Sequence, residues 1–471
     1  MLRGGFSWRP VRQWGTMRCS LSGVSMVRRL LLLPFLVVGG CTQDAGNEGS
    51  SSSSASSSSG AGDSGSTSAS VVSSGSGGLR SSGSGTPATS SGVTAASSNA
   101  AHPTPAWTEV RPVPPCTAGA PVAWNRETRA ITAVAGTGTF CFGGAQVHAV
   151  DACLDHPSDV VVDGSGNMFI ASMLGSWIDR VDAATGYIHR IAGNGTAGFS
   201  GDNGPALDAK LAYPSSIELD GAGNLYIADT SNSRIRKLHL ESGIITTVVG
   251  TGHAGFSGDG AQATEADINY PKGLTFDGGR NLFFVDGFNQ RIRRVDAQTG
   301  IIETVAGTGE AAFSGDNGPA SSATFDGLED VDLDCAGNLY IADVFNNRIR
   351  RITQDTGITS TVAGSGDDSG GFAGDNGPAT EALLSWPGSL FVRGTGSIFI
   401  SDGSNERIRR VDLTTGIITT VVGTGENGFA GNDGPAHLAQ LWSPDGVWVD
   451  GSGALFIADW SNDQVRKVSQ P

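Results

Sequence analysis

A repeat of about 57 residues runs from about residue 125 to the end of the chain, and it limits the possible folds more than any other feature. Its anchor positions lie 57 residues apart, with one spacing of 59, at Pro157, Pro214, Pro271, Leu328, Pro387 and Pro444. Six copies in register predict one repeat architecture, in which each unit packs on its neighbours. The 471 residues therefore need not form the roughly three domains that length alone would suggest.

Each copy contains four short β-branched or alternating segments, separated by Gly, Asn and Asp as strands are separated by turns. One copy reads PSSIELD, GNLYIAD, NSRIRK and SGIITTVVG between residues 214 and 250. Four strands per unit, repeated radially, predict an all-β, six-bladed β-propeller. The last copy lacks its fourth strand, and a matching segment at residues 128–136 precedes the first copy. We predict that this N-terminal strand completes the last blade and closes the ring, which removes exposed sheet edges.

These motifs resemble the NHL repeat, in particular GNLYIAD, the Asn-x-Arg-Ile-Arg segment and the run ending TTVVG. The additional segment GFSGDNGPA is similar to the form found in bacterial secreted NHL proteins and in the teneurin NHL propeller. The resemblance covers about residues 125–471. It implies the fold strongly and the activity weakly, because NHL propellers include protein- and RNA-binding modules, extracellular sensors and one class of lyase.

The N-terminus is typical of a secretion signal. Residues 1–40 contain six Arg and no acidic residue, and the apolar run from Leu30 to Val38 is too short to span a bilayer. The run ends at Gly39-Gly40-Cys41, which resembles the lipobox of bacterial lipoproteins and implies that Cys41 is the lipidated first residue of the mature chain. An ordinary signal peptide with a free Cys nearby is the alternative. The residue after Cys41 is Thr42 and not the Asp that would resemble an inner-membrane retention signal, so the outer membrane is favoured.

A Ser/Gly/Ala-rich segment follows, and residues 49–100 hold only two charges and no aromatic residue. Such a segment cannot bury enough apolar surface to become ordered, so we expect a disordered tether. The predicted organisation is a signal peptide at 1–40, a linker at 41–105 and the propeller at 106–471. The formal charge of −16 becomes −22 once residues 1–40 are removed, which disfavours nucleic acid as a partner. We expect a monomer.

Residues common to the blades are interpreted as structural. An Asp ends the second strand and an Arg opens the third, and we expect the Asp to be a turn acceptor and the Arg to pair between blades. The Asp positions are 229, 286, 343, 402 and 459, and the Arg positions are 234, 291, 348 and 407. A Phe in each long loop is expected to anchor that loop, at positions 199, 256, 313, 372 and 429.

Departures from the repeat are the candidates for function. Two residues beyond each anchor, the chain has Asp159, Ser216, Gly273, Asp330, Ser389 and Gly446. The two Asp fall on blades 1 and 4, which face each other in a six-bladed ring. With Glu218 and Asp332 nearby, they predict a cation site for which Ca²⁺ suits the oxygen ligands. The alternative is that each Asp caps a local turn or meets an Arg.

Four Trp form the second candidate site. Trp177, Trp386, Trp442 and Trp460 lie in or beside loops that share one face of a propeller, on neighbouring blades. They predict an aromatic rim that binds a glycan or a peptide. The alternative is packing between blades, because Tyr213, Tyr270 and Trp386 share one repeat position.

The cysteines suggest a disulfide and no zinc site. Cys141 and Cys153 fall in one loop of the first blade, and we predict that they pair, with Cys116 as a competitor. Cys335 is expected to stay unpaired. No Cys/His spacing predicts zinc, and the seven His occupy different repeat positions.

The favoured function is a binding or sensing module, anchored in the cell envelope, whose partner is a protein, peptide or glycan of that envelope. The alternative is a metal-dependent lactonase or hydrolase, because Asp159, Asp330 and Glu218 could imitate the central ligands of propeller lactonases. No nucleophile elbow or phosphate-binding loop is present, and no catalytic residue is predicted.

Overall fold

The computed structural model describes residues 124, 127–139, 147–367, 371–392, 394 and 396–469. They form six antiparallel sheets, each with four main strands that we call first to fourth from the centre outward. The first strand of every blade contacts the first strand of the next blade, and that of blade 6 contacts that of blade 1. The predicted six-bladed β-propeller is confirmed.

The strands of each blade are given in order from first to fourth. Blade 1 has Pro157–Val162, Met168–Ser172, Trp177–Val181 and Tyr187–Ala192; blade 2 has Pro214–Leu219, Asn224–Asp229, Arg234–His239 and Ile244–Val249. Blade 3 has Pro271–Phe276, Leu282–Asp286, Arg291–Val295 and Ile302–Ala306; blade 4 has Leu328–Leu333, Leu339–Asp343, Arg348–Ile352 and Thr359–Ala363. Blade 5 has Pro387–Phe391, Ser397–Asp402, Arg407–Asp412 and Ile418–Val422; blade 6 has Pro444–Val449, Leu455–Asp459, Gln464–Val468 and Ala130–Ala135.

Short elements complete the blades. Two-residue strands join the outer edges of blades 1, 2 and 6 at Val147–His148, Gly204–Pro205 and Gly434–Pro435. Single 3-10 turns precede the first strands at Ala149–Asp151, Ala206–Asp208, Ala263–Glu265, Ala320–Ser322, Ala379–Glu381 and Ala436–Leu438. Others connect second to third strands at Thr230–Asn232, Gly287–Asn289, Val344–Asn346, Gly403–Asn405 and Trp460–Asn462. None of the helices in the described ranges is long and apolar enough to cross a membrane.

The N-terminal strand closes the ring as predicted. Ala130–Ala135 pairs antiparallel with Gln464–Val468, with Ile131 opposite Val468. Gly136 follows the strand with a φ of +89°, and a Cβ there would lie 2.1 Å from the carbonyl oxygen of Asp463. Glycine is needed at this position because the outer strand passes so close to the neighbouring turn.

The long loop before each blade folds onto the outer part of that blade. In blade 2, Gly204–Pro205 pairs with the fourth strand, and the guanidinium of Arg234 lies 3.7 Å from the ring centre of Phe199. The same stacking recurs in blades 3 to 5 between Arg291 and Phe256, Arg348 and Phe313, and Arg407 and Phe372. The loop-anchoring role predicted for the Phe is confirmed in these four blades.

Candidate functional site

A buried Asp and Arg hold the second and third strands together in blades 2 to 6. In blade 2, Asp229 accepts hydrogen bonds from Arg236 Nη1 at 3.1 Å, Asn232 Nδ2 at 2.8 Å and the backbone N–H of Ala212 at 2.7 Å. The Asp is thus a turn acceptor, as expected. Equivalent ion pairs join Arg293 to Asp286, Arg350 to Asp343, Arg409 to Asp402 and Arg466 to Asp459.

The expected pairing of the first Arg between blades is wrong. Residues two apart on a strand point to the same side, so both Arg234 and Arg236 face the loop. Phe199 lies over Arg234, whose Nη2 donates to the carbonyl oxygen of Thr251, and the second Arg reaches the carboxylate within its own blade. These pairs are structural.

Blade 1 replaces this arrangement with another one. Ser172 stands in place of the Asp and Asp179 in place of the second Arg, and the indole Nε1 of Trp177 donates to Asp179 Oδ2 at 2.6 Å. Arg190 lies 3.8 Å from the Trp177 ring centre. Burial raises the pKa of Asp179 to about 6, although the charge of Arg190 acts in the opposite direction. Trp177 is only 7% exposed, so it does not present an aromatic face as a member of the predicted rim.

The two axial Asp connect neighbouring blades. Asp159 Oδ1 accepts the backbone N–H of Val160 at 2.8 Å, and Oδ2 accepts that of Ile217 in blade 2 at 2.9 Å. Asp330 does the same with Val331 and with Leu390 in blade 5. All four donors are backbone N–H groups, and those of Ile217 and Leu390 belong to the next blade, so each Asp joins its blade to the next.

Glycine and serine complete this arrangement twice around the ring. A Cβ on Gly446 would lie 2.6 Å from the Cα of Asp159, and a Cβ on Gly273 would lie 2.6 Å from the Cα of Asp330. The hydroxyl of Ser389 donates to Asp330 Oδ2 at 2.9 Å. The order Gly, Asp, Ser therefore occurs over blades 6, 1 and 2 and again over blades 3, 4 and 5.

Burial of these acids perturbs their titration. Burial raises the pKa of Asp159 to about 6, while the two backbone N–H donors lower it. Burial also holds the pKa of Asp330 well above its usual range, and the charge of Asp159 raises it further. At the channel mouth, burial and then the charge of Glu329 raise the pKa of Asp445 to about 7. Lys272 forms an ion pair with Glu329 beside it.

The four predicted metal ligands line one cavity of the central channel. Glu218 and Asp332 lie in the same cavity as the two axial Asp. Asp332 accepts hydrogen bonds from Thr275 Oγ1 and from the backbone N–H of Val392, both at 2.9 Å. Within the described ranges, three His, Cys, Asp or Glu ligand atoms approach one another within 4.8 Å at Asp155, His156 and Asp463, and not among these four acids. The Ca²⁺ site stays a prediction.

The channel is narrow. The centre of a water molecule can move through about 30 Å³ of the inner cavity and about 50 Å³ of the cavity at the mouth. A water molecule needs about 10–15 Å³ measured in this way, so the channel has room for a few waters or an ion. A sugar or peptide would have to bind outside it.

Aromatic side chains lie in the loops around the mouth. Trp442 is 44% exposed, and the ring of Phe288, 57% exposed, stacks on Tyr270 at 4.4 Å. Trp386 packs edge-on against Phe345 of blade 4 at 5.3 Å, which is the packing between blades that the alternative interpretation expected. Phe288 was missed from the sequence because only Trp was considered. Its signal was an apolar residue where blades 2, 5 and 6 carry Ser.

A second contact between blades recurs in the turn after the second strand. The side chain of a residue with positive φ accepts the backbone N–H of the residue before the next blade's anchor. The pairs are Gln290 with Gly327, Asn347 with Trp386, Glu406 with Ser443, and Asp463 with His156. At the last junction Trp460 packs edge-on against His156 at 4.4 Å. Sequence reasoning missed this junction because its residues are far apart in the chain.

Two of the cysteines lie in the described ranges, and both are in disulfide bonds. The expectation that Cys335 stays unpaired is therefore wrong. Its exposed turn between the first two strands of blade 4 is accessible to a Cys that is distant in sequence. Cys41, Cys116 and Cys141 lie outside the described residues, so the pairing of Cys141 with Cys153 and the lipidation of Cys41 stay predictions.

Comparisons with known proteins agree with the repeat. The family model of the teneurin NHL domain matches residues 252–312. The chain is 28% identical over 326 residues to Protein SUPPRESSOR OF QUENCHING 1, chloroplastic, of Arabidopsis thaliana, covering 67% of this chain and 30% of that protein. It is 27% identical over 338 residues to NHL repeat-containing protein 2 of Gallus gallus, covering 66% of this chain and 46% of that protein. The chain thus spans less than half the length of either relative.

A solved structure shares the fold. The crystal structure of an auxiliary nutrient binding protein from Bacteroides thetaiotaomicron superposes with a TM-score of 0.52 at 17% identity, over 73% of this chain and 76% of that one. Repeat, ring closure and relatives agree: the chain is a six-bladed β-propeller whose repeats are similar to those of NHL-repeat proteins.

Proposed function

We propose that the propeller is a binding module whose ligand, a glycan or a peptide of the cell envelope, docks over the channel mouth on the face that carries Trp386, Trp442 and Trp460. The observation that supports this most is the size of the channel, which has room for water or an ion and not for such a ligand. Aromatic rings around the mouth supply the large, rigid contact area that binding surfaces use.

Charge at the mouth adds polar groups for orientation. Lys272, Glu329 and Asp445 line the outer cavity beside the aromatic side chains. A few polar groups in a mainly apolar surround are typical of ligand sites. The fold is shared with a protein named as an auxiliary nutrient binding protein, which is compatible with a binding role.

The test is a binding screen of the full-length chain against a glycan array and a peptide library, followed by calorimetry on the hits. A Trp386→Ala/Trp442→Ala variant should weaken binding at least about tenfold, because truncation of aromatic anchors costs on the order of 1–3 kcal/mol. Tyr187→Ala is the matched control, since Tyr187 is 44% exposed but begins a fourth strand at the opposite face. If the hits bind the Trp386→Ala/Trp442→Ala variant as tightly as the Tyr187→Ala control, the proposal is overturned. A screen without hits would also overturn it.

A Ca²⁺ ion in the channel is a separate proposal for the acids Asp159, Asp330, Glu218 and Asp332. Its support is that all four line one cavity, and their existing hydrogen bonds argue for a structural role instead. Calorimetry with Ca²⁺ on wild type and the Asp159→Asn/Asp330→Asn variant separates the two. Equal heats reject the ion, and with it the lactonase-like alternative.

We further propose display from the outer membrane through a lipid on Cys41 and the tether at 41–105. The support is the resemblance of Gly39-Gly40-Cys41 to a lipobox and the low charge of the linker. Metabolic labelling with palmitate should mark the wild type and not Cys41→Ser. Labelling of both chains, or of neither, contradicts the anchor.

A further inference from the structure

Three side chains of metal-ligating type meet where blade 6 closes on blade 1. Asp155 and His156 directly precede the anchor Pro157, and Asp463 lies in the turn between the second and third strands of blade 6. His156 Nδ1 is 3.0 Å from Asp155 Oδ1 and 3.5 Å from Asp463 Oδ1. The three ligand atoms all lie within 4.8 Å of one another.

This junction has more polar side chains than the contact between blades requires. At the junctions of blades 3, 4 and 5, a single side-chain acceptor on Gln290, Asn347 or Glu406 binds one backbone N–H. At the closing junction, Asp463 Oδ1 makes that same contact with the N–H of His156 at 2.9 Å. The His156 imidazole and the Asp155 carboxylate are additional.

We propose that Asp155, His156 and Asp463 bind a divalent transition-metal ion, with Zn²⁺ as the ion that this ligand set matches. Zn²⁺ takes His nitrogen at about 2.0–2.1 Å and carboxylate oxygen at about 2.0–2.2 Å, so ligand atoms in a tetrahedral site lie roughly 3.3–3.5 Å apart. The observed separations of 3.0 and 3.5 Å come close to that range. One imidazole with two carboxylates suits Zn²⁺ better than Ca²⁺, which takes oxygen ligands.

The site is ordered before any ion enters. Asp155 and Asp463 are 6% and 7% exposed, whereas the His156 side chain is 25% exposed and leaves a path from solvent. The backbone hydrogen bond to Asp463 and the edge contact with Trp460 hold His156 from two sides. Three protein ligands leave the fourth tetrahedral position for a water molecule or a group from a ligand.

Such an ion would join the two ends of the ring. Asp463 lies 307 residues beyond His156, and the two residues belong to the last and first blades. A ligand that binds the folded chain alone stabilises it in proportion to the logarithm of its concentration over its Kd. The site lies on the same face as the aromatic side chains, since His156 packs against Trp460, but Zn²⁺ binding is measured without the ligand proposed for that face.

The test is Zn²⁺ binding to the full-length chain after removal of metal with a chelator, followed by calorimetry and thermal unfolding. Wild type should bind one Zn²⁺ at this site and gain a few degrees in Tm, and Asp463→Asn should lose most of that gain. Asp463→Asn should weaken Zn²⁺ binding at least about tenfold, because the amide is a poor ligand. It should still fold, because Asn347 makes the equivalent contact at the junction between blades 4 and 5.

Glu406→Gln is the matched control, since it changes the same acceptor position at a junction without a His, and its Zn²⁺ affinity should equal that of wild type. Co²⁺ offers a second readout, with the visible absorption of a tetrahedral N/O site in wild type and its loss in His156→Gln. Equal Zn²⁺ affinity in wild type and Asp463→Asn would overturn the proposal. So would a Co²⁺ spectrum that His156→Gln leaves unchanged.

Discussion

Blades 2 to 5 and the two blades that close the ring, 6 and 1, share one strand framework and differ in the polar groups that fill it. In blades 2 to 5 a buried Arg pairs with a buried Asp, and a second Arg stacks on the loop Phe. Blade 6 keeps the Arg466–Asp459 pair but has Gln464 in place of the stacking Arg. Blade 1 has neither Arg, and Trp177 and Asp179 take their places.

The comparison shows that a buried charged residue is replaced together with the residues that contact it. An unpaired buried charge is very costly, so an Arg cannot be lost from such a pair while its Asp stays. Blade 1 has Ser172 where the other blades have the Asp, and its new carboxylate at Asp179 has an indole donor and the charge of Arg190 nearby. The closing blades are thus free to diverge only in coordinated sets of residues.

The largest effect is expected from breaking the regular pair. Arg350→Met leaves Asp343 buried without its ion-pair partner, and the free energy of unfolding should fall by about 3–5 kcal/mol. Chemical denaturation measures it. Arg348→Met, which removes the neighbouring and partly exposed Arg, is the control and should cost far less. Equal losses of unfolding free energy in the two variants would mean that the buried ion pair contributes no more to stability than the partly exposed Arg.

The replacement in blade 1 should be visible in the pH dependence of stability. The pKa of Asp179 is raised to about 6 in the folded chain. Its contribution to the free energy of unfolding is therefore fully present below about pH 4 and is lost as the pH rises through 6. Asp179→Asn removes this loss, which amounts to up to about 3 kcal/mol between pH 4 and pH 8. Unfolding midpoints measured across that range should decline less in the variant. Parallel curves would contradict the raised pKa.

The channel offers a comparison between the closing junction and an ordinary one. Gly446→Ala and Gly273→Ala both place a Cβ 2.6 Å from an Asp backbone, and overpacking of this kind costs about 1–3 kcal/mol. Gly388→Ala is the control, because the nearest atom to its Cβ would be 3.5 Å away. Denaturation midpoints should fall in the first two variants and change little in the third. A tolerated Gly446→Ala would show that the closing junction is looser than the other.

The smallest effect concerns the loop Phe. Phe372 is 40% exposed beneath Arg407, whereas Phe429, without a stacking Arg, is 68% exposed. Phe372→Ala should therefore cost more than Phe429→Ala by about 0.5–1 kcal/mol, the size of an exposed cation–π contact. Thermal unfolding of both variants measures the difference. In a Gln464→Arg background, which restores the Arg, the difference between the costs of Phe372→Ala and Phe429→Ala should become smaller. An unchanged difference would count against the stacking explanation.

The repeat was enough to predict the number of blades, the closing strand and the anchoring of the loops, because these depend on features that recur at one spacing. It could not show which Arg meets the Asp, since Arg234 and Arg236 point to the same side and only the position of Phe199 decides between them. It placed Asp159 and Asp330 in facing blades, but their bonds to neighbouring backbone depend on how closely the first strands approach.

The remaining features depend on contacts between distant parts of the chain. Asp463 and His156 are 307 residues apart, and no spacing within the repeat links them. The disulfide of Cys335 belongs to the same class, since its turn looked isolated along the sequence. The sequence did contain one signal for this junction: His156 is the one His among the six residues that precede an anchor.

The doubled order of Gly, Asp and Ser around the channel has a consequence for where such a chain could begin. Blades 6, 1 and 2 carry Gly, Asp and Ser at the positions where blades 3, 4 and 5 carry them, so half a turn of the ring restores these three residues. Ser469 N donates to the carbonyl oxygen of Ala130, which places the two described ends of the propeller side by side. A circular permutant that joins these ends and opens the chain before Leu328 would start on the blade equivalent to the present first one.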